Sequence, residues 1–186
     1  RYADVLPYMN QETLLVTDLD NTVIRPVQTI GSDQWGGHIR DIFRAAGIEE
    51  NLAVDAGVAM FAAVQMKTQV SLVEETTANV LRRARAKGAQ IVGLTARSLY
   101  LTERTLQQLE SIHFPKTDEK SYHVAPGAIS KNGIVFVGGN NKGEILKQLL
   151  KERPEYRNVR RVVFIDDKLH HAENVDVALA GSPYEV

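Results

Sequence analysis

This sequence predicts an α/β fold: a mainly parallel sheet with helices on both faces and a small helical insertion. Short apolar runs recur at residues 13–18, 89–94 and 160–165, with amphipathic segments of helical spacing between them. Strands alternating with helices are the pattern of βαβ units and a parallel sheet. The runs show little polar alternation, as expected of strands buried on both faces. Between the first and second runs lies a long stretch whose apolar spacing is helical.

In chain order, residues 1–12 read as a lead-in, a short helix or loop ending near Asn10, and residues 13–18 as the first strand. Residues 23–68 read as a helical insertion. Gly31-Ser32-Asp33 supplies a loop and N-cap, Ile39, Ile42 and Phe43 a first helical face, and Gly47 a stop. Val54, Val58, Phe61, Ala62 and Met66 supply a second face. Residues 69–87 read as one further amphipathic helix with Val70, Val73, Val80 and Leu81 inward. Arg82, Arg83, Arg85 and Lys87 suit its C-terminal dipole, and Gly88 ends it.

Residues 89–94 are the second strand, 98–111 a helix, and 112–127 a loop holding two prolines. Asn132-Gly133 between apolar flanks predicts a hairpin. Residues 138–143 form a loop opening a helix over 143–152, which Pro154 keeps from extending. Residues 160–165 are a strand, 168–180 a helix, and Tyr184-Glu185-Val186 the start of another strand. The start at Arg1 without methionine and the stop just after Tyr184 are expected of a piece of a longer chain.

The 186 residues suit one domain with an insertion at about 23–68 and a core of 13–22 and 69–186. Hydrophobic residues make up 44% and charged residues 24%, ordinary for a globular chain. The formal net charge of -1 favours neither nucleic acid nor an anionic membrane as partner. The absence of cysteine excludes disulfides, thiolate metal sites and cysteine nucleophiles.

Chemistry concentrates where the predicted strands end. Asp18 and Asp20 are two apart, so in a strand they share a side and repel, unless a cation or a bound group lies between them. A second acidic tip, Asp166-Asp167, follows the strand at 160–165. Ligands of parallel sheets bind beyond the carboxyl ends of the strands. Asp18 can attack a phosphorus centre and hold an acyl phosphate, splitting hydrolysis into two easier steps. Mg²⁺ bound by carboxylate oxygens of Asp18 and Asp166, with the Asp20 carbonyl, would remove the repulsion between attacker and phosphate. Asp20 suits proton transfer. Thr95 at a strand-to-helix turn and Lys142 in a loop opening a helix suit phosphate oxygens. Each has a blander reading: one of Asp166 and Asp167 or Thr95 as a helix cap, Lys142 as a solvated lysine, Arg97 as a surface group. His170 and His171 read as a solvated helix face, and Trp35 and His38 as candidates for the mouth of the site.

With these residues assembled, the chain resembles the haloacid dehalogenase (HAD) superfamily of aspartyl phosphatases. Asp18-Leu19-Asp20-Asn21-Thr22 is similar to its Asp-x-Asp-x-Thr motif and Leu94-Thr95-Ala96-Arg97 to its Thr-bearing second motif. Lys142 in Asn140-Asn141-Lys142-Gly143 is similar to the third, and Asp166-Asp167 to the acidic pair of the fourth. The resemblance implies a Rossmann-like, HAD-like core. It implies Asp18 as nucleophile and metal ligand, Asp20 as acid/base with its carbonyl on Mg²⁺, Thr95 and Lys142 on phosphate, and Asp166 on the metal. Asp167, Asn21 and Arg97 would support them.

The function implied is a Mg²⁺-dependent phosphomonoester hydrolase. Its partner would be a phosphorylated substrate, either a phosphoprotein such as one bearing phosphotyrosine or a small phosphomonoester. The alternatives are a phospholigand-binding module with little turnover and a small-metabolite phosphatase or phosphotransferase. Leu-Thr-Ala-Arg, Asn-Asn-Lys-Gly-Glu and Ile-Asp-Asp-Lys also resemble a HAD-like group of secreted or effector proteins of intracellular bacteria, which implies work outside the bacterial cytoplasm. The insertion, as a cap, would set substrate choice.

Overall fold

The computed structural model describes residues 1–117 and 120–186. A 3-10 helix, Tyr2–Tyr8, precedes strand β1, Thr13–Thr17. β1 is the spine of the molecule. It pairs in parallel with β4, Gln90–Thr95, on one side and with β8, Arg161–Ile165, on the other. Leu14 stands opposite Gln90 and Val162. β4 pairs in parallel with β7, Ile134–Phe136. The antiparallel strands β6, Ala128–Lys131, and β5, Tyr122–Ala125, complete the order β5-β6-β7-β4-β1-β8. The fold is therefore α/β and Rossmann-like, with a mostly parallel six-stranded sheet flanked by helices.

Period-2 alternation divides the apolar residues of the sheet between two cores. Leu15 and Ile91 join α3, Thr77–Ala86, and α4, Thr102–Ser111, through Val80, Leu81, Leu106 and Leu109. Leu14, Val16 and Val92 join α5, Lys142–Glu152, and α6, Leu169–Leu179, through Leu146, Leu149, Val175 and Leu179. All five residues of β1 are buried, since paired strands flank it and both faces are covered.

The insertion departs from its predicted outline at both ends. Residues 69–87 are not one helix: β3, Val70–Leu72, comes first and α3 starts only at Thr77. β3 pairs antiparallel with β2, Ile24–Pro26, so a two-stranded ribbon carries the insertion. Val70 and Val73 are spaced as on a helix, but pairing of Leu72 with Ile24 makes this stretch a strand. Above the ribbon stand α1, Asp33–Ala45, and α2, Glu50–Gln65, with the Ser32 side chain accepting from the Trp35 N–H at 3.1 Å as the N-cap of α1.

The stretch 112–127 is not all loop, because it contains β5. Asp118 and Glu119 of that stretch lie outside the described residues. The helix over 98–111 opens with a 3-10 turn, Leu99–Leu101. Asn132 and Gly133 have φ of 53° and 78°, the left-handed pair that a tight hairpin between β6 and β7 needs. At the C-terminus, Glu185 exchanges backbone hydrogen bonds with Arg160 and Val162 at 2.8 and 2.7 Å, adding a bridge to the β8 edge. Among the described residues no helix is long and apolar enough to cross a membrane.

Candidate functional site

β1, β4 and β8 are neighbours and parallel, so their carboxyl ends deliver Asp18, Thr95 and Asp166 to one rim. Asp18 is locked just past β1, its N–H donating to the Ile165 carbonyl at 2.8 Å. α5 begins at Lys142, with the Asn141 side chain capping the N–H groups of Gly143 and Glu144 at 2.8 and 3.2 Å. Gly143 lets this end of α5 lie against α6, where a Cβ would sit 2.2 Å from the Asn174 carbonyl oxygen. The Lys142 ammonium is thereby driven inside, 2% exposed. It donates to Asp18 Oδ1 at 2.5 Å and to Asp166 Oδ2 at 2.7 Å. Lys142 is thus no solvated lysine.

Asp167 is exposed beside this triad. One carboxylate oxygen each from Asp18, Asp166 and Asp167 lie within 4.8 Å of one another. Hard divalent cations take oxygen ligands, so the chemistry of this cluster fits one. An all-carboxylate set fits such a metal without specifying which. Burial pushes the Asp18 carboxyl up to about 7, with the charges of Asp166 and Asp20 adding to the rise and Lys142 opposing it.

His171 Nδ1 lies 3.0 Å from both oxygens of Asp166, so it is not on a solvated face. Burial lowers its pKa. The Lys168 N–H also donates to Asp166 Oδ1, at 2.9 Å.

Asp20 faces a different partner. Arg97, 4% exposed, forks onto it through Nε and Nη2, both at 2.7 Å. The same guanidinium donates to Thr105 Oγ1 at 3.0 Å and Gln108 Oε1 at 2.5 Å. Gln108 Nε2 donates in turn to Gln65 Oε1 at 3.0 Å, at the end of α2. Arg97 is therefore a buried clamp rather than a surface group. Thr95 Oγ1 accepts from the Arg97 N–H at 3.1 Å, which leaves the Thr95 hydroxyl proton to donate elsewhere. Asn21, at φ 60°, sits in a tight turn where the N–H groups of Val23 and Ile24 donate to the Leu19 carbonyl at 2.9 and 2.8 Å. That turn sends the chain from β1 into the ribbon.

A cavity of about 450 Å³ lies over these tips. Asp18, Asp20, Asn21, Thr95, Arg97 and Asp167 line it from the core, with Lys168 and His171 beside them. Arg40 and Phe61 line it from the insertion, whereas Trp35 and His38 do not. Sequence reasoning missed His171, Gln65, Gln108, Arg40 and Phe61 as parts of this region. Helical phase placed Phe61 on an apolar face, and no local signal marked the others.

A family profile described as "Protein of unknown function (DUF2608)" matches residues 2–183. The chain belongs to that family. A Chlamydia pneumoniae relative named "Putative outer membrane protein" is 24% identical over 161 residues, which are 79% of this chain. The match covers 58% of that relative, so the chain spans little more than half its length. No solved structure matches the chain.

Proposed function

We propose that this member of the DUF2608 family is a HAD-type phosphomonoester hydrolase working through an aspartyl phosphate on Asp18. The observation that carries the reading is the buried triad. Lys142 bridges Asp18 and Asp166 at adjacent parallel strand tips, with Asp167 and Thr95 beside it under one cavity. Ionisable groups gathered in a perturbed environment beneath a cavity mark a candidate functional site.

In the reaction, an Asp18 oxygen attacks phosphorus and the bond to the leaving oxygen breaks. Asp20 protonates that oxygen, then takes a proton from the water that cleaves the acyl phosphate. Both Asp20 oxygens accept from Arg97, so proton delivery requires one guanidinium contact to open. The Lys142 ammonium and the Thr95 hydroxyl hold phosphoryl oxygens. Mg²⁺ held by Asp18, Asp166 and Asp167 would neutralise charge between attacker and phosphate. Hydrolysis of aryl phosphate, phosphotyrosine, phosphoserine, nucleotides and sugar phosphates, measured with Mg²⁺ and with EDTA, tests the reading. Turnover that survives both EDTA and Asp18→Asn would sink it.

The fork between Arg97 and Asp20 favours a second reading, a phospholigand-binding module. Tight Mg²⁺-dependent binding without phosphate release across that panel supports it. The name of the Chlamydia relative supports work outside the bacterial cytoplasm, as a secreted or translocated protein. Fractionation of producing cells with a specific antibody checks this, and confinement to the cytoplasm rejects it.

A further inference from the structure

Four basic side chains line the cavity: Arg40, Arg97, Lys168 and His171. Three are committed. Arg97 forks onto Asp20, Lys168 donates to Asp33 Oδ2 at 2.7 Å, and His171 contacts Asp166. Arg40, among the described residues, makes neither a hydrogen bond nor an ion pair. Glu50, which feels its charge, is already forked by Arg44 at 2.7 and 2.5 Å.

Arg40 is nonetheless seated. Its stem lies on Gly57 of α2, where a Cβ would come 2.4 Å from Arg40 Cγ and 3.2 Å from Cδ. These are not the tip of a flexible chain, so a side chain at 57 would displace the whole stem. In the reciprocal contact, Phe61 of α2 lies on Gly36 of α1, where a Cβ would come 3.2 Å from Cδ2. Two glycines on facing helices thus let an aromatic ring and a cation without a protein acceptor both enter the lining. An arginine that lines an open cavity with no protein acceptor is free to take one from a ligand, and a carboxylate or phosphate matches its fork. A cavity of about 450 Å³ suits a small molecule.

We propose that the cavity takes a small phosphomonoester whose flat, apolar body packs on Phe61 and carries a second anionic group bound by Arg40. This rests on the phosphatase reading for the first phosphate. The second anion is a carboxylate or another phosphate, the shared chemistry being a planar or tetrahedral oxyanion within reach of the guanidinium.

The test compares phenyl phosphate, 4-carboxyphenyl phosphate and 1,4-phenylene bisphosphate as substrates with Mg²⁺. The parent protein, Arg40→Gln and Gly57→Ala are measured. Binding of phenylphosphonate and 4-carboxyphenylphosphonate is measured by calorimetry on the same proteins. Expected is a preference of at least about tenfold in kcat/KM for a second anion, falling to about twofold or less in both variants. Which doubly anionic substrate is preferred tells carboxylate from phosphate. Turnover with no preference in the parent protein overturns the inference and leaves the phosphatase reading standing. A tenfold binding preference that depends on Arg40, without turnover of any substrate, does the reverse. Absence of both overturns both. If Arg40→Gln melts far below the parent, Gly57→Ala decides, since it keeps the arginine and moves it.

Discussion

At the strand tips, charge is buried and committed. Asp18, Asp166 and Lys142 share one ion triad, while Arg97 holds Asp20 and three polar neighbours in the next. On the helical insertion the balance is reversed. α1 and α2 bury only Gly36, Ala53, Gly57 and Gln65, and leave Ile42, Leu52, Val58 and Met60 exposed. The sheet supplies rigid positions because every strand bearing a site residue is paired and packed on both faces. The insertion is tied to the core largely by polar contacts: Gln65 and Thr68 accept from Arg104 and Gln108 of α4, and Asp33 accepts from Lys168. On the proposed function, the chemistry falls to the first region, which is fixed, and selection among ligands to the second.

That contrast can be broken at its strongest point first. Asp18→Asn should lower aryl phosphate turnover by at least about a thousandfold, as loss of a nucleophile does. A fall of less than about tenfold would move the chemistry away from this tip. Lys142→Met leaves two buried carboxylates facing each other and should destabilise the fold by about 3–5 kcal/mol in urea unfolding. Divalent cation should restore part of that loss; no loss of stability would mean the triad is not formed. Arg97→Lys breaks the fork onto Asp20 and should cost roughly 2 kcal/mol, with a larger loss in kcat than in KM. Equal loss in stability alone, with kcat intact, would make Arg97 purely structural.

The pH dependence sharpens the same contrast. Burial raises the Asp18 pKa from 3.8 unfolded to about 7 folded. For an acid this favours the protonated form in the folded state. Its stabilising contribution is complete below about 4 and disappears as pH rises through about 7. Mg²⁺ needs the ionised carboxylate, so its stabilising effect should be larger at pH 8 than at pH 5.5. Melting temperatures with EDTA and with Mg²⁺ at both values check this, and an equal Mg²⁺ shift at the two would contradict it. The smallest effect belongs to the insertion: Leu52→Ser, at an exposed position, should change stability by no more than about 0.5 kcal/mol. A loss above about 2 kcal/mol would mean that this face is covered.

Much of the core was legible because its signals are local. The run at Leu14-Leu15-Val16, short and apolar throughout, reads as a strand with both faces covered, and the turn at Asn132-Gly133 follows from backbone freedom at two residues. Asp18, Thr95 and Asp166 share a rim because each follows such a run. The ribbon escaped notice because Val70 and Val73 fit a helix equally well, and only Ile24, far earlier in the chain, chooses the strand. His171 looked solvated because nothing near it in sequence shows that the Asp166 carboxylate turns toward α6.

The sequence alone carried the α/β class, which strand ends bear acids and a threonine, and that a lysine opens a helix, since apolar runs and turn chemistry are written within a few residues. Tertiary structure alone decided which charges pair. Arg97 could have been a surface group, yet it lies against Asp20 because β4 and β1 are neighbours. Lys142 became the bridge between two carboxylates because α5 packs tightly on α6 at Gly143. Arg40 took its seat against α2 because a glycine stands where a side chain would have moved it. Pairing of charges depends on distance in space and on exclusion of water, and neither is set until the layers have packed.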